Sequence, residues 1–352
     1  MKPTVFRGRY GVQLDFRGED DFVSSFLEKY DLRRLHFITG CGFESRTRVI
    51  MEWLANHIDS PVECTVVDLL NKRDPQYKSA RRLQVKNMAK IRSITKAAKW
   101  RKRLVRSNLY SGKSLAHRPL LRALRSTLSR FNGDFLVDIS SLPRSIALSA
   151  LRILWGAKGT RNLLVGYTEE ANVGSLERQA RDFGEPSYLP FFYPSLPSTA
   201  PSVWFPVLGG DSRPIRKIEN RFQFDDIYPI VGFPSTRPVE TDEIVRNNST
   251  LLKNRTEKII FASMNDPFQL SIKLNNAIDE IRSAFGQRTA IVMSPHGSKP
   301  QSVGILMTAV SRSASLAYCQ PLSYHPMKGG IGPTHLYWLK GTPYGPATGM
   351  QK

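Results

Sequence analysis

The chain has 352 residues, of which 41% are hydrophobic and 23% are charged, a composition typical of a globular protein long enough for two domains. Its formal net charge of +21 at pH 7 predicts attraction to polyanions such as nucleic acids and nucleotides. No segment approaches the roughly 18 to 20 consecutive apolar residues of a membrane span, and the N-terminus lacks the apolar core of a secretory signal. We therefore expect a cytoplasmic protein with no membrane partner.

The cysteines and histidines argue against a metal centre. Cys41, Cys64 and Cys319 are widely spaced and form no CxxC pair, so the pattern predicts neither a disulfide framework nor a structural zinc site. The six histidines do not occur in an HExxH motif or beside a carboxylate cluster. We accordingly predict no metal and no cofactor.

The first half of the chain alternates short apolar runs with helical patterns. The predicted strands are 35–39, 64–69, 104–109, 135–139 and 162–167. The predicted helices are 45–58, 80–98, 115–130 and 144–155. Because runs such as TVVDLL and DFLVDI are almost entirely apolar, they favour a parallel sheet covered by helices on both faces. We predict a Rossmann-like α/β lobe over residues 1–190.

A strongly basic segment lies within this lobe, at residues 72–106. It contains fourteen Lys and Arg residues and a single acid, Asp74. A helix over residues 79–100 would place several of these cations on one face, which is compatible with a merely solvated helix or with a nucleic-acid surface. The candidate nucleic-acid contacts are Arg81, Arg82, Lys86, Lys90, Lys99, Arg101, Lys102 and Arg103.

A Pro- and Ser-rich stretch separates the two halves. Residues 190–206, PFFYPSLPSTAPSVWFP, contain five prolines, a composition that disfavours helix and central strand, so we place the junction at 191–206. A second, smaller Rossmann-like lobe is predicted over 207–352, one β/α unit shorter than the first and closed by an extended C-terminal segment. Its predicted strands are 227–231, 258–262, 289–293 and 315–319. Its predicted helices are 239–253, 267–285 and 299–312.

Two similar loops favour a diverged internal duplication. The sequence Gly-Phe-x-Ser follows an apolar run at residues 42–45 and again at residues 232–235. In an open α/β sheet the ligand crevice lies beyond the carboxyl ends of the strands, so we expect both loops at that rim.

A second pair of turns, DISSLPR (138–144) and MSPHGSK (293–299), leads from an apolar strand to a cation and then into an apolar helix. Unpaired N–H groups at a helix N-terminus, Ser hydroxyls and a nearby cation favour phosphate binding. The predicted ligand contacts are Gly42, Ser45, Arg46, Arg48, Ser140, Ser141, Arg144, Gly232, Ser235, Arg237, Ser294, Gly297, Ser298 and Lys299. The alternative, that Gly, Ser and Pro are simply common at such turns, stays open.

The turn PHGSKPQSVGILMTA resembles the glycine- and threonine-rich turn followed by lysine in CRISPR-associated Rossmann-fold (CARF) sensor domains. The loop GCGFESRT is similar in position to the other ligand loop of that family. The resemblance implies a cyclic oligonucleotide ligand held by Ser45 and Arg144 in the first lobe, and by Ser235, Gly297, Ser298 and Lys299 in the second. The first lobe has SSLPR where the family has its glycine-rich turn.

Three functions are compatible with these patterns. The first is binding of a nucleotide, cyclic oligonucleotide or nucleic acid, with the signal passed to a protein partner in a bacterial defence or regulatory system. The second is a phosphodiesterase or nucleotide hydrolase in the same crevice, with His296 and Asp138 as candidate catalytic residues. The third is a basic scaffold that binds nucleic acid through residues 72–106 alone.

Overall fold

The computed structural model describes residues 13–15, 34–58, 62–70, 77–108, 110–111, 114–115, 121–122, 124–126, 131–171, 180, 182–197, 199–235, 237–323 and 330–341. The strands are β1 Gln13–Asp15, β2 Leu35–Gly40, β3 Val62–Leu70, β4 Arg101–Asn108, β5 Tyr110–Ser111, β6 Ser114–Leu115, β7 Gly133–Asp138, β8 Thr160–Glu170, β9 Ser187–Tyr188, β10 Ser202–Val207, β11 Asp226–Ile227, β12 Ile230–Gly232, β13 Ile260–Ala262, β14 Ala290–Pro295, β15 Ser315–Tyr318 and β16 Ile331–Lys340. The helices are α1 Val49–His57, α2 Tyr77–Ala97, α3 Arg144–Gly156, α4 Arg213–Arg221, α5 Pro238–Asn247, α6 Ser249–Leu252, α7 Pro267–Phe285 and α8 Lys299–Arg312, with 3₁₀ turns at Ser45–Arg48 and Thr256–Lys258.

The first sheet has the strand order β1-β16-β8-β7-β2-β3-β4. Strands β2, β3, β4, β7 and β8 are parallel to their neighbours within this group, whereas β16 is antiparallel to β8 and β1 is antiparallel to β16. When the five parallel strands are numbered as they occur in the chain, their spatial order is 3-2-1-4-5. This is the order of the doubly wound fold, in which the chain reverses direction across the sheet between strands 1 and 4.

The second sheet repeats that order. Its main path is β13-β12-β10-β14-β15-β9, with the short β11 also paired to β10. Strands β10, β12, β13, β14 and β15 are parallel, and β9 is antiparallel to β15 at the far edge. Both lobes therefore consist of five parallel strands in the order 3-2-1-4-5, and the prediction of two Rossmann-like lobes is confirmed.

The prediction that the second lobe lacks one unit is wrong, because its first strand lies inside the Pro-rich stretch. Strand β10, Ser202–Val207, is the central strand of the second sheet even though it contains Pro206. The Trp204 carbonyl accepts a hydrogen bond from Tyr228, and the Leu208 N–H donates to Ile230. Pro206 has no backbone N–H to donate, and it lies opposite the gap between β11 and β12. Its missing donor is therefore tolerated, because the neighbouring strand is interrupted there.

The C-terminal segment also differs from the prediction, which assigned it to the second lobe. Strand β16, Ile331–Lys340, pairs with β8 and completes the first sheet. Its residues Leu336 to Leu339 are hydrophobic and buried. Because β16 pairs with β8, β8 is not an exposed edge strand. The first sheet thus contains both the first and the last described strands of the chain, β1 and β16.

Several helices match the predicted bounds, and α7 and α8 match them to the residue. Asp266 caps α7 by accepting from Phe268 and Gln269, and Ser298 forms a capping box with Gln301 at the start of α8. Helix α4 was not predicted. The predicted helix 115–130 lies largely outside the described residues, although 121–122 and 124–126 are helical.

The two lobes share one apolar core. A single cluster of buried side chains includes Val137 and Leu151 of the first lobe together with Phe205 and Leu306 of the second. Helices α3 and α8, which follow the fourth strand of each lobe, pack against each other at this junction. None of the described helices is long and apolar enough to cross a membrane.

Candidate functional site

The strand order identifies which loops occupy equivalent positions. In this fold the ligand crevice lies beside the carboxyl ends of strands 1 and 4, which are β2 and β7 in the first lobe and β10 and β14 in the second. The turns after β7 and β14 are equivalent, as predicted. The loop at 232–235 follows β12, a second strand, so its predicted equivalence with residues 42–45 is wrong.

The true counterpart of residues 42–46 is residues 209–213. The first lobe has Gly-Phe-Glu-Ser-Arg two residues after β2 ends, and the second has Gly-Gly-Asp-Ser-Arg two residues after β10 ends. Both follow the pattern glycine, any residue, acid, serine, arginine. This repeat could have been found in the sequence, but the interpretation of 191–206 as a junction hid the strand that precedes it.

Close packing explains the first glycine of each copy. A Cβ atom at Gly42 would lie 2.8 Å from the Cβ of Ser141, which belongs to the turn after β7. A Cβ atom at Gly209 would lie 2.4 Å from the carbonyl oxygen of His296, in the turn after β14. In both lobes, therefore, the strand 1 loop and the strand 4 turn approach too closely for a larger residue.

The acid and the arginine of each copy bond to each other. Arg46 Nε donates to Glu44 Oε2 at 2.8 Å, and Arg213 Nε donates to Asp211 Oδ1 at 2.9 Å. Each guanidinium also donates to a backbone carbonyl, that of Thr168 in the first lobe and that of Ala180 in the second. Burial acts to raise the pKa of Glu44, but Arg46 outweighs it and the pKa is lowered.

The cations that begin α3 and α8 bridge the two lobes. Arg144 donates from its two terminal nitrogens to the carbonyls of Pro295 and Gly297, each at 2.6 Å. Lys299 donates in the opposite direction, to the carbonyls of Ile139 at 2.7 Å, Ser140 at 2.5 Å and Leu142 at 3.2 Å. Each cation therefore binds the turn of the other lobe, and we call this reciprocal arrangement the interlobe clamp.

The interlobe clamp uses the hydrogen-bond donors of Arg144 and Lys299 within the protein. A cation at the first position of a helix faces the positive end of the helix dipole, and carbonyl oxygens of the opposite turn offset that cost. Burial, and next Arg46, lower the pKa of Lys299 to about 7, while Glu44 acts in the other direction. In this structure the donors of Arg144 and Lys299 are directed at the protein's own backbone, whereas we had predicted that they contact a ligand.

The predicted serines at these turns are also bonded within the protein. Ser140 accepts from the Thr168 N–H, and Ser141 donates to the Gly40 carbonyl. Ser294 accepts from Trp204 Nε1, and Ser298 accepts from Gln301 and donates to the Met264 carbonyl. Gly297 fits closely against Gln301 and Val207. These contacts account for the serines and the glycine as structural elements of the turns.

The remaining predicted ligand contacts lie apart from the clamp. Arg48 pairs with Glu52 on α1 and Ser45 is exposed on the 3₁₀ turn before it. The loop after β12 carries Gly232, which packs against Met264, and Ser235, which donates to the Arg237 carbonyl. The Arg237 side chain is 3.6 Å from Glu240 in an ion pair.

His296 and Asp138, the candidate catalytic pair, occupy the strand 4 ends of different lobes. The His296 ring stacks on Tyr318 with 4.8 Å between ring centroids, and burial lowers its pKa well below the usual value. Asp138 is buried and accepts from Thr39 at 3.1 Å and from the Ser140 N–H at 2.8 Å. Burial raises the pKa of Asp138. The described contacts of each residue are thus structural, and their catalytic role stays a prediction.

A buried polar contact that we had not predicted joins the lobes beside the clamp. Glu169 Oε1 accepts from His335 Nε2 at 2.6 Å and from Asn265 Nδ2 at 2.8 Å. Glu169 and His335 belong to the first sheet, whereas Asn265 follows β13 of the second. Sequence patterns carry no signal for this site, because its three residues come from distant segments. Among the described residues, no group of three or more His, Cys, Asp or Glu side chains could hold a metal ion.

The predicted nucleic-acid contacts lie on α2, in the turn after it and on both faces of β4. The β3–β4 register places Lys102 and Arg106 on the side of the sheet that α2 covers, whereas Arg101 and Arg103 lie on the opposite side. Asp68 on β3 is buried and bonds to Arg81 of α2 at 2.7 Å and to Arg106 of β4 at 2.8 Å. One carboxylate therefore holds the basic helix beside the basic edge strand. The exposed cations of this α2–β4 surface are Lys78, Arg82, Lys86, Lys90, Arg92, Lys96, Lys99, Lys102 and Arg106.

Comparison with known proteins does not assign the chain to a family. No family model matches it, and no curated protein matches it. Among solved structures, it is similar to a putative universal stress protein from Pseudomonas aeruginosa UCBPP-PA14, with 9% sequence identity over 83% of this chain and 94% of that chain. The TM-score of that match is 0.23.

Proposed function

We propose that this protein binds nucleic acid through the α2–β4 surface. The observation that carries the proposal is the contact of Arg81 and Arg106 with the single buried carboxylate of Asp68, which merges the helix and the edge strand into one basic face. No acidic residue occurs between residues 77 and 108. Asp68 supplies both of the ion pairs that the described residues make with this face.

The charge of this surface suits a phosphate backbone better than a small ligand. Its nine exposed cations extend along a helix of 21 residues and a strand of 8 residues, so several phosphates in a row can be neutralised at once. Each neutralised phosphate releases condensed counterions, and that release supplies most of the free energy of nonspecific binding. Clustered like charges destabilise a folded protein, so a polyanionic partner offsets a cost that the free protein bears.

The test is the salt dependence of binding to a fluorescent oligonucleotide. A triple variant, Arg82→Glu with Lys86→Glu and Lys90→Glu, removes three cations from the exposed face of α2. We expect its affinity to fall at least tenfold and the slope of log K against log salt to become shallower by about 2 to 3, because each lost phosphate contact contributes about 0.7 to 0.9.

The matched control reverses three exposed cations of the second lobe, Arg216→Glu, Arg246→Glu and Lys253→Glu. Both triple variants have the same net charge, so long-range attraction changes equally. If the control loses as much affinity and slope as the α2 variant, binding follows net charge and the α2–β4 surface is not the site.

A second candidate function is binding of a small phosphorylated ligand at the loops beside strands 1 and 4. It is favoured by the repeat at 42–46 and 209–213, because both lobes keep an arginine, a side chain suited to phosphate, in the loop beside the strand 4 turn. Native purification followed by denaturation and mass spectrometry tests it: a stoichiometric nucleotide supports this site, and nucleic-acid fragments alone support the α2–β4 surface. A place in a defence or regulatory system, and a protein partner, stay predictions.

A further inference from the structure

Two phenylalanine rings are exposed together at the carboxyl ends of β12 and β13. Phe233 is 58% exposed and Phe261 is 46% exposed, and their ring centroids lie 6.4 Å apart with an angle of 81° between the rings. Exposed aromatic pairs are costly on the surface of a soluble domain, and they commonly mark a binding site. The ring pair takes no part in the interlobe clamp or in the α2–β4 surface.

Backbone hydrogen bonds hold the Phe233 loop in place. The Phe233 N–H donates to the Ala262 carbonyl at 2.8 Å, and the Met264 N–H donates to the Pro234 carbonyl at 3.2 Å. The Thr241 hydroxyl donates to the Gly232 carbonyl at 2.8 Å. The loop is therefore anchored to the neighbouring strand on both sides of the ring, so a ligand that stacks there pays little of the entropy cost of ordering it.

One cation contacts the backbone of Phe261, and a second is close to Phe233 in sequence. Lys273 is exposed and donates from Nζ to the Phe261 carbonyl at 2.6 Å, and Arg237, four residues after Phe233, has a side chain 40% exposed. An aromatic surface beside positive charge is suited to a nucleotide, in which a flat base adjoins a phosphate. An apolar protein segment would use the rings but not the charges.

We infer that Phe233 and Phe261 form a stacking platform for unpaired bases of a single-stranded nucleic acid. The inference rests on the proposed nucleic-acid binding and narrows it, because bases in a duplex are already stacked on one another and present only their edges. β13 and β4 are the third strands of their lobes. The second lobe would contribute base contacts through the rings at the ends of β12 and β13, while the first lobe contributes phosphate contacts through the cations of α2 and β4.

The test compares three fluorescent ligands by anisotropy: single-stranded oligothymidylate, an abasic strand of the same length and a duplex. The wild type is expected to bind the oligothymidylate more tightly than the abasic strand. The double variant Phe233→Ala with Phe261→Ala should lose roughly 10- to 100-fold in affinity for oligothymidylate, because each stacked base contributes substantially to binding. Its affinity for the abasic strand should not change.

Two controls test whether the loss of affinity is due to stacking on these two rings. The first removes another exposed ring, and the second keeps an aromatic ring at position 233. Phe285→Ala removes a ring that is 49% exposed at the end of α7, and it should leave all three affinities unchanged. Phe233→Trp keeps an aromatic face and should retain most of the preference for bases.

The outcomes distinguish this inference from the proposed function. If the double alanine variant binds oligothymidylate as the wild type does, while the α2 triple variant loses binding, the stacking platform is wrong and the proposed function stands. If the wild type binds none of the three ligands, the proposed function itself fails. If the phenylalanine variants instead abolish a concentration-dependent dimer of the wild type and leave binding intact, the rings form a protein interface and the inference is overturned.

Discussion

The two lobes share a strand order but expose very different third strands at their edges. In the first lobe β4 is eight residues long and largely covered by Lys and Arg, and α2 adds more cations beside it. In the second lobe β13 has three residues, and its exposed side chain is Phe261. Because the edge strand is not buried between neighbours, its side chains can diverge while the parallel core keeps its order.

The cations of β4 also have a simpler role, which is to protect the exposed edge of the first sheet. Lys and Arg on an edge strand prevent another chain from pairing with it, and β4 would need such protection because of its length. That role explains the cations of β4 but not those of α2, whose exposed face lies away from the strand hydrogen bonds. The proposed function therefore depends more on the helix than on the strand.

The interlobe clamp offers the largest expected effect. Arg144→Ala leaves two buried carbonyls without a donor and Lys299→Ala leaves three, and each unsatisfied group costs about 1 to 3 kcal/mol. We expect each substitution to lower the free energy of unfolding by about 3 kcal/mol or more, measured by urea denaturation. The exposed Arg216→Ala is the control and should change it by less than about 0.5 kcal/mol. Wild-type stability in both clamp variants would show that the lobes are held by their apolar core alone.

An effect of similar size is expected from pH, through one buried histidine in each lobe. Burial, and next Arg103, lower the pKa of His36 to about 4, and burial lowers that of His296 well below its usual value. Between pH 6.5 and 4 the unfolded chain binds a proton at His36 that the folded protein does not. The free energy of unfolding should therefore fall by about 3 kcal/mol from His36 as the pH falls through this range.

The measurement is urea denaturation at pH 7, 6, 5 and 4, for the wild type and for His36→Gln and His296→Gln. Each variant is expected to be less stable at pH 7 but to lose less stability on acidification. If both variants keep the pH dependence of the wild type, the acid sensitivity belongs to carboxylates instead.

The smallest of these effects tests whether the strand 1 loops are equivalent. Gly42→Ala and Gly209→Ala should each destabilise the protein by about 1 to 3 kcal/mol, because the added methyl group meets the strand 4 turn of the same lobe. Gly209→Ala should cost more, since it meets a backbone oxygen, whereas Gly42→Ala meets a side chain. Gly184→Ala, where a Cβ atom would have ordinary contacts from 3.4 Å, is the control in thermal denaturation. Equal stability of all three variants would contradict the shared packing.

Local signals made the helices predictable, and a single proline made the second lobe hard to read. Asp266 before Pro267 and Ser298 before Lys299 are capping patterns, which act within one turn and are visible in the sequence. Pro206 argues against a central strand on every local rule. It is tolerated because the neighbouring strand is interrupted opposite it, which no local pattern reveals.

The sequence by itself determined the α/β class, the helix boundaries near strong caps and the concentration of charge in residues 72–106, since these depend on composition and on neighbours along the chain. Only the tertiary structure decided that β10 is the central strand of the second sheet, that β16 completes the first sheet, and that Arg144 and Lys299 bind the opposite turns. The physical reason is distance in sequence: Arg144 and Pro295 are 151 residues apart, and their contact exists only because two complete sheets pack together. Arg144 and Lys299 bind the opposite lobe because backbone carbonyls of that lobe lie within hydrogen-bond distance of their side chains. The sequence around each cation does not contain this information.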